Sequence, residues 1–318
     1  MDHAVAAAID RLSAGEVVAL PTETVYGLAA DALRPDAVVK IFEAKERPFF
    51  DPLICHLPGL EWLARMTAIP HSSLPLVRSL ITEFWPGPLT LILPRSGIVP
   101  DLVTAGLETV ALRMSDHPVF RRVVQEFGKP LSAPSANRFG RISPTAASHV
   151  QTELAGRIPL IVDGGPATHG IESTIVAFRG EEMSILRSGP ISREELMEFG
   201  DVVDAARADS PDAPGQMKSH YAPKTPLILV QNWSEAAAHF ATGKRVGLLA
   251  WSGPPDLPAD RVTILSRAGD LREAAATLFA KLREIDEAGL DVIIAGSGPE
   301  EGLGAAIMDR LRKAAGLG

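Results

Sequence analysis

The sequence predicts a mixed α/β protein in two parts, with a larger first domain over residues 1–200, a linker over 201–226 and a small doubly wound α/β domain over 227–318. Three observations carry this reading. Apolar runs of strand length alternate with helical periodicities through the first 200 residues. The stretch DVVDAARADSPDAPGQMKSHYAPKTP then loses apolar periodicity and is rich in Asp, Ala and Pro. Beyond it a second strand–helix alternation starts, and 318 residues leave room for two cores.

Taken in order, residues 3–14 read as a helix with Val5, Ile9 and Leu12 on one stripe, stopped by Gly15. The strand EVVALP follows and ends in the polar loop PTETVYG. A helix over Asp36–Glu46, the strand PLICHL, helices near 59–66 and 72–84 and the strand LTLILP come next. Then follow TVALRM, a helix over Pro118–Phe127, PLSAP, a helix over Pro144–Leu154, and strands at PLIVDG, STIVAF and SILRSG. In the second domain the strands are LILV, RVGLLAW, VTIL and DVIIAGS, with helices near 234–240, 269–287 and at the C-terminus.

Charge and motif content remove several classes of function. The formal charge is −8, with basic and acidic residues at 18 and 23 before residue 201 and 13 and 16 after it, so neither half is a basic nucleic-acid module. Cys55 is the only cysteine, which excludes an internal disulfide and a multi-cysteine zinc site. Asp2 stands where a secretory leader would be basic, and no apolar run reaches about 18 residues, so a cytoplasmic protein is expected. There is no G-x-x-x-x-G-K-[ST], no G-x-S-x-G and no H-E-x-x-H, and AGSGPEEGLG has the wrong glycine spacing for a dinucleotide turn.

Two polar constellations remain. KERPFFDPLICH puts Lys45, Arg47 and Asp51 just past a helix, and APSANRFGRISPT gathers Ser135, Asn137, Arg138, Arg141 and Ser143 in one loop. Guanidinium and hydroxyl groups at loop tips are suited to polyphosphate where no P-loop exists. Arg113 and Arg187 end apolar strands, and Ser173 and Thr174 open a third, which points to a converging anion site at strand ends. Cys55 is rejected as a nucleophile, because Cys55 and His56 are adjacent on a strand and face opposite sides.

PTETVYGLAADA, KERPFFDPLICH, FWPGPLTLIL, APSANRFGRISPT, GIESTIV and LRSGPIS occur in an order that resembles the threonylcarbamoyl-adenylate synthase family over nearly all of residues 10–200. PGQMKSHYAPKTPL and GLGAAIMDRLRKAA resemble the long, two-domain form. The resemblance implies a YrdC-like twisted mixed sheet followed by a small Rossmann-like αβα domain. It implies the synthesis of L-threonylcarbamoyl-AMP and pyrophosphate from L-threonine, bicarbonate or CO2, and ATP with Mg2+, for the modification of adenosine 37 in transfer RNA by a downstream transferase machinery. Carried over by position, threonine would meet Thr24, His56, Arg113, the backbone at Ala133, and Ser173. ATP would meet Arg47, Asp51, Thr109, Ser135, Ser143, Arg187 and Tyr221, with Lys45, Arg47, Ser135 and Asn137 at the reacting groups. Asp51 stands where the family usually has Asn. The linker, with Lys218, His220 and Tyr221, would act as a lid.

Two rivals are weighed. A non-catalytic YrdC-like binder of transfer or double-stranded RNA, touching phosphates through Arg138 and Arg141, is opposed by the acidic total charge. Carbamoyl transfer in hydrogenase maturation predicts zinc-finger modules that a chain with one cysteine lacks.

Overall fold

The computed structural model describes residues 2–69, 73–203, 220–240 and 243–317. Lys218 and most of the expected lid lie outside the described residues. The chain forms two compact units, one of Met1–Phe139, Pro144–Thr168 and Glu172–Gln216, the other of Gly140–Ser143, His169–Ile171 and Met217–Gly318.

The first unit opens with α1 (Asp2–Ser13), which buries Val5, Ala8 and Leu12, and continues through β1 (Val18–Leu20), β2 (Gly27–Asp31), α2 (Pro35–Lys45) and β3 (Ile54–His56). A 3₁₀ turn leads into α3 (Leu63–Met66), α4 (Leu74–Phe84), β4 (Leu89–Pro94), α5 (Asp101–Thr104) and β5 (Thr109–Arg113). Then come α6 (Pro118–Phe127), β6 (Leu131–Ser132), α7 (Ala147–Leu154), β7 (Thr174–Arg179), β8 (Glu182–Arg187), α8 (Arg193–Met197) and β9 (Val202–Val203). The strands form one mixed sheet in the order β1-β2-β6-β3-β5-β4-β7-β8-β9.

Three expectations are corrected. Gly27, read as the end of the PTETVYG loop, opens a strand, Gly27–Asp31, that is buried along its whole length and was not expected. PLIVDG is not a strand: it pairs with β1 only at the bridge between Ile161 and Ala19, and Gly165, at φ 86°, turns the chain away. The helix expected from Pro144 starts at Ala147, because Ala146 is extended and Thr145 N donates to His149 Nδ1 at 3.2 Å instead.

Strand alternation sends successive side chains to opposite faces of the sheet. On one face Leu28, Cys55, Leu91, Leu112 and Val176 join Ile41 and Phe42 of α2 and Leu80 of α4 in the main core. On the other face α1 and α6 cover the β1–β2–β6 end through Val5, Leu12, Phe120 and Leu131. Over β3, β5, β4 and β7 that second face carries a smaller apolar cluster of Ile54, Ala111, Ile92 and Ile175. The site is built along its margins.

In the second unit β10 (Leu227–Val230), α9 (Trp233–Phe240), β11 (Val246–Ala250), β12 (Arg261–Ile264), α10 (Leu271–Asp286), β13 (Val292–Gly296) and α11 (Leu303–Ala314) form an all-parallel sheet in the order β10-β13-β11-β12. Unbroken burial along β11 and β13 fits strands covered on both faces. Asp270 caps α10 by accepting from Glu273 N at 2.8 Å. Gly170 belongs to this unit and admits no side chain, since a Cβ there would stand 2.4 Å from Ala276 O. No helix among the described residues is long and apolar enough to cross a membrane.

Candidate active site

Parallel pairing sets His56 beside Arg113, and Ile54 beside Ala111, on the same face of β3 and β5. Arg113 is buried and held at all three of its nitrogens: Nε donates to Gly87 O at 3.1 Å, Nη1 to Thr24 Oγ1 at 3.0 Å, and Nη2 to Glu23 Oε1. Burial pushes the Glu23 carboxyl up, but the Arg113 charge and the hydroxyl donated by Ser115 outweigh it and hold the group below the usual carboxylate range. Burial, reinforced by the Arg113 charge, lowers the His56 pKa to about 3, so the ring is neutral near pH 7. Its face packs on Phe120 at 4.5 Å between centroids, and Nδ1 has no hydrogen-bond partner among the described residues.

Proton accounting orients the PTET turn. Thr22 commits its hydroxyl proton to Val25 O at 2.6 Å, so in the 2.9 Å contact between the two hydroxyls Thr24 is the donor. Thr24 Oγ1 also accepts from Arg113, which leaves it one lone pair and makes it an acceptor toward any ligand.

A second group forms where α2 ends. Glu46 takes a left-handed conformation at φ 55° and its N–H closes on Phe42 O and Glu43 O, so the chain reverses into the KERPFFD loop. Lys45, fully buried, donates to the carbonyls of Ser135 and Asn137 at 2.5 Å each. Burial, with Arg47 nearby, pulls its pKa well below the ordinary lysine value. Arg47 donates to Pro52 O at 2.8 Å and forms a buried ion pair with Asp51 at 2.9 Å. Burial nevertheless raises the Asp51 carboxyl, against the pull of Arg47, Lys45 and Arg187, and Asp51 Oδ1 has no hydrogen-bond partner among the described residues.

The third group lies at the start of β7 and the end of β8. Arg187 Nη2 and Nε donate to Ser173 Oγ and Ser173 O, each at 2.9 Å, and Ser173 Oγ meets Thr90 Oγ1 at 2.7 Å. Thr174 holds the next loop through Ile191, accepting at 3.0 Å and donating at 2.7 Å.

Twelve of the fourteen expected residues therefore fall in the first unit, while Ser143 and Tyr221 belong to the second. Tyr221 is buried there at φ 63°, with His220, Phe279 and Arg310 around its ring. Ala133 N–H is already used by Ile54 O at 2.9 Å, so only its carbonyl is available to a ligand. Thr109 opens β5 opposite Pro94, while Arg113 closes it, roughly 13 Å away at about 3.3 Å per residue; no described hydrogen bond links Thr109 to the others. Cys55 lies on the core face with its thiol pushed up to about 12 by burial. Glu23, Ser115 and Thr90 were not anticipated. Glu23 and Thr90 stand inside the quoted motifs PTETVYG and GPLTLIL, and their polarity beside apolar strands was the available signal.

These three polar groups, at strand ends and at the end of α2, have the arrangement of small-molecule sites in α/β proteins, and no metal-ligating cluster is found among the described residues. The Sua5–YciO–YrdC family profile, described as "Telomere recombination", matches residues 10–189, and a profile described as "Threonylcarbamoyl-AMP synthase, C-terminal domain" matches 191–316. The chain is 44% identical to a threonylcarbamoyl-AMP synthase of Bacillus subtilis, covering 99% of this chain and 94% of that one. It is 42% identical to one of Pyrococcus abyssi, covering 95% and 91%. A crystal structure of P. abyssi Sua5 complexed with L-threonine superimposes with a TM-score of 0.91 at 40% identity, over 98% of this chain and 94% of that one. The chain belongs to the threonylcarbamoyl-AMP synthase family.

Proposed function

We propose that this chain makes L-threonylcarbamoyl-AMP and pyrophosphate from L-threonine, bicarbonate or CO2, and ATP, with Mg2+ arriving on the ATP phosphates as part of the substrate. The observation that carries the reading is the buried Arg113, three of whose five N–H groups are engaged by partners among the described residues. One N–H on each terminal nitrogen is left, which is what a carboxylate held at two points needs.

In this reading threonine places its carboxylate on Arg113, with Thr24 as acceptor and neutral His56, the Ala133 carbonyl and Ser173 around the rest of the molecule. The free amine adds to CO2 and gives up a proton to solvent, or condenses with bicarbonate with loss of water, to form a carbamate. A carbamate oxygen then bonds to the α-phosphorus of ATP as the bond to the bridging oxygen breaks and pyrophosphate leaves. No protein nucleophile takes part; the residues supply position and charge. Lys45 has one N–H beyond the two given to carbonyls, and an arriving phosphate favours its charged form. Arg47 and Arg187 both bring guanidinium charge near Asp51. Asp51, Ser135, Asn137, Thr109, Ser143 and Tyr221 are assigned to the nucleotide. Residues 1–200 form the catalytic part, 201–226 a lid and 227–318 an accessory domain. The product, a labile mixed anhydride, passes in the cytoplasm to the machinery that modifies adenosine 37 of transfer RNA.

The test is pyrophosphate release from ATP and Mg2+ with threonine and bicarbonate omitted in turn. Release that requires both supports the reading, and release indifferent to threonine overturns it.

A further inference from the structure

Glu23 has no place in the substrate contacts assigned above, yet it is among the most constrained side chains of the first unit. It is 3% exposed. Oε1 accepts from Arg113 Nη2 and Oε2 accepts from Ser115 Oγ, which in turn accepts from His117 N at 3.3 Å. The Glu23 backbone carbonyl accepts from Thr168 Oγ1 at 3.2 Å. Glu23 is therefore held from three sides, independently of any ligand.

A buried guanidinium with no counter-charge is strongly destabilised, and it moves to whatever acceptor is near. Gly87 O and Thr24 Oγ1 are neutral acceptors for Nε and Nη1; the only anion on Arg113 among the described residues is Glu23. We propose that Glu23 is the positioning residue of Arg113: it clamps one N–H of Nη2 and balances the charge, so that the two N–H groups left over keep a fixed direction for the amino-acid carboxylate. This rests on the reading of Arg113 as the carboxylate holder. Glu23 touches no reacting atom and acts through Arg113 alone.

The experiment is a double-mutant cycle on the full-length chain, read as KM for threonine, KM for ATP and kcat from pyrophosphate release. Glu23→Gln keeps the volume and one acceptor but removes the charge; it is expected to raise KM for threonine about tenfold, with KM for ATP changed by less than about twofold. Glu23→Ala is expected to raise it further, yet to add nothing in an Arg113→Ala background, because its only route is through the missing guanidinium. Losses that add in the double variant, or KM for ATP rising in step with KM for threonine, overturn the proposal. If Glu23→Ala does not fold, Glu23→Gln decides. Arg113→Ala with unchanged KM for threonine brings down the carboxylate reading itself, whereas a damaged Arg113→Ala beside a silent Glu23→Gln brings down the proposal alone.

Discussion

Thr90 on β4 and Ser173, one residue before β7, meet hydroxyl to hydroxyl at 2.7 Å, and the same Ser173 oxygen receives Arg187 Nη2 at 2.9 Å. One serine thus joins a strand interior to a residue assigned to ATP, and the orientation of its hydroxyl depends on both neighbours.

Thr90→Val preserves shape and removes one partner of Ser173. Loss of a buried hydrogen bond of about 1 kcal/mol corresponds to roughly a fivefold change in an equilibrium. KM for threonine is expected to rise by about that factor in steady-state pyrophosphate release, with the melting temperature lowered by about 2–4 °C. A variant with wild-type KM removes Thr90 from the site.

Lys45→Met replaces a buried cation by an apolar chain of similar length. The carbonyls of Ser135 and Asn137 lose their donor, and the phosphates lose a charge. Turnover is expected to fall about a hundredfold or more, the range seen when a donor to developing charge is removed. Isothermal titration with ATP separates weakened binding from slowed chemistry.

His56 gives stability a definite pH dependence. Its folded pKa, about 3, lies below the unfolded value near 6.5, so between these limits the unfolded chain binds more protons and stability falls with acidification. Each unit below about pH 6.5 costs roughly 1.4 kcal/mol. Urea unfolding at pH 7 and pH 5 is expected to show a drop of about 2 kcal/mol that His56→Asn abolishes. Equal slopes in the two proteins contradict a buried neutral ring.

Asp51 works in the opposite sense. Its folded pKa is raised by burial, so its contribution to stability is greatest at low pH and is lost as pH rises through the folded value. Asp51→Asn removes this loss: measured against the variant, the wild type is expected to be less stable at pH 7 than at pH 4. A difference that stays constant with pH refutes the assignment.

Much of the architecture was legible because burial imposes period. Val5 and Leu12 on α1, and the apolar runs at β4, β5, β11 and β13, follow directly from alternation and helical spacing. β2 escaped because GLAAD has small residues and a glycine where strands usually show branched or aromatic ones, and its place is set by pairing with β1 and β6. Arg113 and Arg187 stood out as charges closing apolar strands. Glu23 did not, because an acid in a polar loop looks solvated until the fold brings an arginine 90 residues away onto it. Thr109, carried by motif alone, lies at the far end of its strand.

The position of Cys55 has a practical consequence. Its side chain is sealed in the core beside Ser132, and the thiol remains protonated at any pH used for maleimide chemistry. The native chain is therefore silent to alkylating dyes. A single cysteine placed at an exposed position such as Met197 or Phe50 becomes the sole point of attachment for a fluorophore or spin label, and substrate-dependent motion can be followed without first deleting a native thiol.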